Sequence, residues 1–118
     1  MEYKFRGKTK EGKWVYGGYA EYDNGKSIIY QKNGISYEVL PETVGMFIGI
    51  KNKNGKDVYK EDVIKREDGI IAKVEWDNDT ASFILKESDG KHWINIKSPL
   101  DRNIEIIGNI YDNSNLLN

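Results

Sequence analysis

Short apolar runs that alternate with polar residues, each cut off by a polar cluster carrying a glycine, recur along most of this chain. A period of two predicts β-strands. The clearest case is Ile70–Trp76, where Ile70, Ala72, Val74 and Trp76 share one face and Lys73 and Glu75 the other. It closes the stretch 45–77, around which the chain is organised. Gly45–Ile50 is the longest apolar run, and Asn52-Lys53-Asn54-Gly55 predicts a tight reversal on residues that tolerate positive φ. Val63-Ile64 then starts a strand, and Glu67-Asp68-Gly69 reverses the chain again.

The same reading extends to both sides. Tyr3 and Phe5 alternate with Lys4 and Arg6, and Thr9–Lys13 is a turn. Trp14–Tyr22 reads as a long strand, in which Gly17-Gly18 predicts a bulge or a close backbone approach. Asp23-Asn24-Gly25 and Lys32-Asn33-Gly34 are hairpin signals around Ser27–Tyr30 and Ile35–Val39. No window before residue 41 has helical spacing. Pro41 blocks a ladder hydrogen bond and biases Leu40 toward an extended conformation, which makes Leu40–Val44 the expected seam. Beyond it come strands at Asp62–Arg66, Ile70–Trp76, Ala81–Leu85, His92–Ile96 and Ile104–Ile110, with a short irregular or 3₁₀ piece at Ser98–Asp101 before the last. The expected fold is therefore all-β. A small N-terminal β-meander lobe (1–44) precedes an SH3-like five-stranded small barrel (45–118), whose closure hides the edges of a free meander.

Composition narrows the classes of function. At 118 residues there is room for one ordinary domain or two small ones. Hydrophobic residues make up only 38%, partly offset by eight Tyr and three Trp, which are large apolar bodies with polar tips. The 18 basic and 19 acidic residues are evenly spread: seven against six in 1–44, and eleven against thirteen in 45–118. Nucleic-acid binding as a role has no support from this charge pattern, since it normally relies on a concentrated basic surface. The absence of cysteine excludes disulfides, thiol catalysis and thiolate metal sites. The first residues lack the apolar core of a signal peptide, and no apolar run approaches the length of a membrane span, so a cytoplasmic location is expected.

Candidate chemistry is sparse. His92 is the single histidine, and the sequence displays no carboxylate partner or nucleophile for it, so it reads as an ordinary strand residue. Asp77-Asn78-Asp79 resembles the start of a calcium loop but has Ser82 where Gly and Ser88 where Glu would be required, and so reads as a polar turn. Gly45–Gly49 is no phosphate loop, lacking a following Gly-Lys-Ser/Thr. The acidic pairs Glu61/Asp62 and Glu67/Asp68 fall on opposite strand faces or in a solvated turn. The strongest candidate is the aromatic set Trp14, Tyr16, Tyr19 and Tyr22. Trp14 and Tyr16 share a face, and a Gly17-Gly18 bulge would bring Tyr19 onto it. Such a platform either stacks bases or sugars or serves packing and subunit contact. No catalytic, cofactor or metal residue is expected.

Glu42–Ile64 (ETVGMFIGIKNKNGKDVYKEDVI) resembles the central motif of the YopX-like proteins of phages and prophages, roughly TG-x-x-D-K-N-G-K-x-I-Y-E-G-D-I-V. Val74-Glu75-Trp76-Asp77 is similar to the later V-x-W-D. Ile104–Asn113 is similar to the closing IEVIGNIYENPEL, and Lys4-Phe5-Arg6-Gly7 to the opening IKFR. Two positions depart from the pattern: Asn52 replaces the usual Asp, and Glu61 the usual Gly, which argues against a tight positive-φ turn before Val63. The resemblance implies a non-enzymatic, self-associating phage or prophage accessory protein of the bacterial host cytoplasm. Its expected partners are a homo-oligomer and a host or phage protein, with no membrane and no cofactor. The alternative is a nucleic-acid-binding SH3-like module, by fold analogy. A hydrolase would need paired carboxylates across a cleft or a metal-binding carboxylate cluster.

Overall fold

The computed structural model describes residues 4–96 and 103–117. Eleven strands and two 3₁₀ turns follow in order among them. They are β1 (Phe5–Lys8), β2 (Trp14–Glu21), β3 (Ser27–Tyr30), β4 (Ser36–Val39), a 3₁₀ turn at Pro41–Thr43, β5 (Gly45–Lys51), β6 (Asp57–Tyr59), β7 (Asp62–Arg66), β8 (Ile71–Asp77), β9 (Ser82–Glu87), β10 (Trp93–Asn95), β11 (Ile104–Asn109) and a 3₁₀ turn at Ser114–Leu117. The fold is all-β, as expected, and every recorded strand pairing is antiparallel. The Ser98–Asp101 piece lies outside the described residues.

One device makes most of the reversals. In Thr9–Lys13, Tyr22–Lys26, Gln31–Ile35, Asn52–Lys56 and Arg66–Ile70, the first residue's N–H donates to the fifth residue's carbonyl, and the fourth residue's N–H donates to the first residue's carbonyl. The fourth residue is always glycine, with φ between 79° and 92°. This is a type I turn followed by a left-handed residue, a common three-residue hairpin loop. The asparagines do not take positive φ as the sequence reading had it. They act through their side chains: Asn24 Oδ1 accepts from Lys26 N at 3.0 Å and Asn33 Oδ1 from Ile35 N at 2.9 Å. Asp68 Oδ1 does the same for Ile70 N, whereas Asn52, the first residue of its turn, caps both Asn54 N and Lys56 N.

The chain forms two compact units, residues 1–49 and 50–118. The seam expected at 44 sits inside the first, where Pro41–Thr43 forms its 3₁₀ turn. Thr43 Oγ1 accepts from Lys8 N at 2.8 Å and donates to Leu40 O at 2.6 Å. The first unit's sheet runs β4-β3-β2-β1-β5, and it bends so that Leu40 N, just past β4, reaches Lys8 O at 2.8 Å. Val15, Ile29 and Val39 form its core, with Phe5, Tyr19, Tyr37 and Val44 packed around them.

Gly17 lets the backbones of β2 and β3 come unusually close. A Cβ there would lie 1.9 Å from the Tyr30 carbonyl oxygen, so of the two expectations for Gly17-Gly18 the close backbone approach holds. The bulge does not form: Val15 and Tyr19, on either side of the pair, both pack in the core, so the alternation of β2 runs unbroken through it.

The second unit begins with the end of β5, which turns through Asn52–Gly55 into β6. Its main sheet runs β10-β9-β8-β7-β11. Ile64, Ala72, Val74 and Leu85 are buried on one face, and Val63 and Ile84 on the other. Trp76 falls on the face assigned from its alternation but at the sheet's end. It is 40% exposed, edge-on to Phe83 with ring centroids 5.0 Å apart. The five strands expected of a barrel are present, yet the sheet is open. β10 and β11 stand at opposite edges, flanking a cleft of about 400 Å³ lined in part by Leu85, Ile94 and Ile104. β10 has only three residues and no partner strand on its outer side among the described residues.

Glu61 corrects a second expectation. It adopts φ 74°, so the positive-φ turn before Val63 forms despite the missing glycine. The conformation is held because Glu61 N donates to Val74 O and Glu61 O accepts from Ile110 N, at 2.8 and 3.1 Å. Its carboxylate also lies 3.8 Å from Lys73 Nζ. Left-handed geometry costs a non-glycine residue roughly 1–2 kcal/mol, more than a loose ion pair at 3.8 Å on partly covered side chains returns.

Two predictions follow from these backbone constraints, each read by urea denaturation. Gly34→Ala, whose new methyl meets only open space, costs about 1–2 kcal/mol through strain alone, whereas Gly17→Ala costs more than about 3 kcal/mol because the neighbour is rigid backbone. Equal losses would refute the close approach. Glu61→Gly raises stability by about 0.5–1 kcal/mol, the relief of strain less the added freedom of the unfolded chain.

Candidate functional site

Along β2 the side chains alternate. Val15, Gly17 and Tyr19 face the first unit's core, while Trp14, Tyr16, Gly18 and Ala20 face the other way. Tyr19 is therefore not part of the aromatic platform. With no bulge to turn it outward, its ring packs 5.6 Å from that of Phe5, and its hydroxyl lies 3.3 Å from Ser27 Oγ. Trp14 is half-buried, with the Arg6 guanidinium 5.0 Å from its ring centre. Tyr16 and Tyr22 are each 47% exposed.

A tyrosine that the sequence reading left out takes the vacant position. Tyr30 is paired with Gly18, so it shares the outer face with Tyr16, and its hydroxyl is hydrogen-bonded to that of Tyr22. The Tyr22 hydrogen bond holds the Tyr30 phenol above its usual pKa. The signal was available: counting back from the turn Tyr22–Lys26 pairs residue 20 with 28 and 18 with 30. Tyr16, Tyr22 and Tyr30 thus form an exposed face around Gly18, where even a Cβ would touch nothing within 4 Å. Three phenols around a bare backbone offer stacking area with polar tips. In the second unit Trp93 and Ile94 on the edge strand β10 are also exposed, at 46% and 37%.

The carboxylates weighed in the sequence mostly cap turns. Asp62 is buried and its Oδ2 accepts from Tyr59 N at 2.8 Å. Asp77 Oδ2 accepts from Thr80 N and Oγ1, and Asn78 Oδ1 from the Trp76 indole. Asp68 is bonded to Arg66 Nη2 at 2.9 Å as well as to Ile70 N. The Gly45–Gly49 run lies in β5, with Gly45 paired to Arg6.

His92 has a partner that the sequence reading did not see. It flanks the β9–β10 turn, and its Nδ1 is hydrogen-bonded to Asp89 Oδ2. Asp89 Oδ1 meanwhile accepts from Lys91 N and His92 N at 2.8 and 3.1 Å. The backbone bond to Lys91 and the side-chain bond to His92 hold the Asp89 carboxyl at about 2. The Asp89 hydrogen bond, with the charges of Asp89 and Glu87, pushes the imidazole above its usual value. A raised imidazole pKa contributes stability that is full below about 6.5 and lost as pH rises through the folded value. The lowered Asp89 pKa contributes stability present above about 4 and lost as pH falls through about 2. In metal-free buffer, an NMR titration of the single imidazole gives a pKa above 6.5, and Asp89→Asn moves it down toward that value. An unshifted wild-type titration would contradict the contact.

These observations define an all-antiparallel β protein built on glycine-closed hairpins, with an exposed tyrosine face on its first unit. The chain belongs to the YopX family: the family model described as YopX protein matches residues 4–118. A search of curated proteins returns no match. No helix among the described residues is long and apolar enough to cross a membrane.

Proposed function

We propose that this chain is a non-enzymatic accessory protein of phage or prophage origin that works by self-association, with a second copy of the chain as the occupant of the Tyr16–Tyr22–Tyr30 face. The observation that carries the reading is that face itself: three tyrosines, each between 39% and 47% exposed, around an unobstructed glycine. Tyrosine is enriched at protein interfaces because it supplies large rigid contact area with a hydrogen-bonding tip. A formal net charge of −1 on 118 residues supports a second copy as the partner, since like copies repel little. The sheet edge at β10, with exposed Trp93 and Ile94, is a further surface for strand pairing. Family membership supports the phage assignment, and the cysteine-free composition fits a reducing host cytoplasm. A host or phage protein is a partner of the assembled form.

The second unit is proposed as an SH3-like barrel in its connectivity. Its four-strand meander β7-β8-β9-β10 has the fifth strand β11 returning beside β7. The non-enzymatic reading rests on the carboxylates, several of which are engaged in capping backbone N–H groups.

Sedimentation over a micromolar range tests the proposal. The wild-type chain is expected to sediment as a dimer or larger. A Tyr16→Ser/Tyr22→Ser/Tyr30→Ser variant with unchanged circular dichroism is expected to be monomeric. A wild-type monomer at all concentrations overturns the reading, and an oligomer unaffected by the triple change moves the interface elsewhere. Salt-sensitive binding of oligonucleotides by the monomer would favour the nucleic-acid module instead.

A further inference from the structure

Glu87 and His92 bracket the β9–β10 turn as a hydrogen-bonded pair, Glu87 N donating to His92 O at 2.9 Å. Gly90, at φ 72°, closes the loop between them by donating to Glu87 O at 3.0 Å. The pairing brings Glu87 and His92 together although four residues lie between them. Asp89 stands in the turn with its Oδ1 occupied by two backbone N–H groups, so that its Oδ2 is directed at the imidazole. One ligand atom from each of the three lies within 4.8 Å of the others. Ligands around a tetrahedral zinc ion at about 2.0–2.2 Å stand roughly 3.4 Å apart. Modest side-chain rotation therefore brings all three into one coordination sphere.

We infer that Glu87, Asp89 and His92 form a binding site for a divalent transition-metal ion of the zinc, nickel or cobalt kind. One imidazole nitrogen with two carboxylate oxygens selects such borderline ions over calcium or magnesium, which take oxygen ligands, and over copper(I), which takes sulfur. The cation takes the place of the proton shared between Nδ1 and Asp89 Oδ2. The His92 side chain is largely exposed and that of Asp89 nearly half so, so water completes the sphere, as in an open site. One interaction opposes binding: Arg66 Nη1 lies 3.7 Å from Glu87 Oε2, and the metal must draw that carboxylate away. The histidine separates this cluster from ordinary surface acids. Asp77, Asp79 and the acidic pairs at 61–62 and 67–68 include no nitrogen donor.

Because His92 is the only histidine, its ring protons are an unambiguous reporter. Full-length chain stripped with EDTA is titrated with zinc chloride and followed by calorimetry and NMR. The expected result is one ion per chain, with shifts centred on the imidazole and residues 87–92. His92→Gln is expected to weaken binding by about tenfold or more, and Glu87→Gln by less. Calcium chloride at equal concentration should leave the imidazole unmoved. An imidazole that zinc does not perturb at millimolar concentration would overturn the inference, as would equal affinity in folded His92→Gln. Asp89→Asn is the weaker probe, since it also loosens the turn. Its ability to keep zinc affinity at the wild-type level would nonetheless remove Asp89 from the site.

Discussion

The bond from a turn glycine's N–H back to the carbonyl three residues earlier is the constraint on which the rest depends. The hairpin closes behind it, the first residue's N–H reaching the fifth residue's carbonyl, because that glycine takes a left-handed conformation, which costs a residue with a side chain roughly 1–2 kcal/mol. Once formed, it fixes which residue lies opposite which across the hairpin. Side chains alternate, so a slip of one position would turn every apolar residue of a strand outward. Val15, Ile29 and Val39 meet in one core because Thr9–Lys13, Tyr22–Lys26 and Gln31–Ile35 set three successive registers. Asn24, Asn33 and Asp68 add side-chain caps to such turns, Asn52 caps from its turn's first position, and Asp89 caps the longer turn between β9 and β10.

The same constraint supplies the surface chemistry. Pairing of Gly18 with Tyr30 sets a tyrosine beside bare backbone on the face that also carries Tyr16, and the hydroxyl bond between Tyr22 and Tyr30 joins the remaining ring to it. Pairing of Glu87 with His92 likewise assembles the cluster in the second unit. Both surfaces are consequences of register, and neither depends on a deep pocket. Such surfaces offer recognition by a face or an edge, which fits the self-association we propose.

At Glu61 a departure from local preference is held by long-range bonds. Glu61 stays left-handed because its N–H and C=O are bonded to Val74 and Ile110, on two other segments. Gly17 has no special φ, and its necessity comes from the carbonyl of Tyr30 pressing on it.

Strand positions, turn positions and the buried face of β8 and β9 that carries Ala72, Val74 and Leu85 were legible in the sequence because alternation and Asn-Gly or Asp-Gly signals act over a few residues. Family membership was legible for the same reason, in runs such as Lys53–Asp57 and Ile107–Tyr111. The register that puts Tyr30 beside Gly18 was also encoded, needing only a count from the Tyr22–Lys26 turn. Tertiary structure alone decided that Gly17 marks a close approach and not a bulge, which returned Tyr19 to the core. It alone decided that Glu61 takes a left-handed turn, that the sheet of β7 to β11 stays open, and that His92 gains two carboxylate neighbours. The Glu61 turn and the open sheet depend on donors and carbonyls from segments remote in the chain, whereas Gly17 beside Tyr30 and the carboxylates beside His92 are set across single hairpins by packing and side-chain rotamers, which no pattern of residue types records.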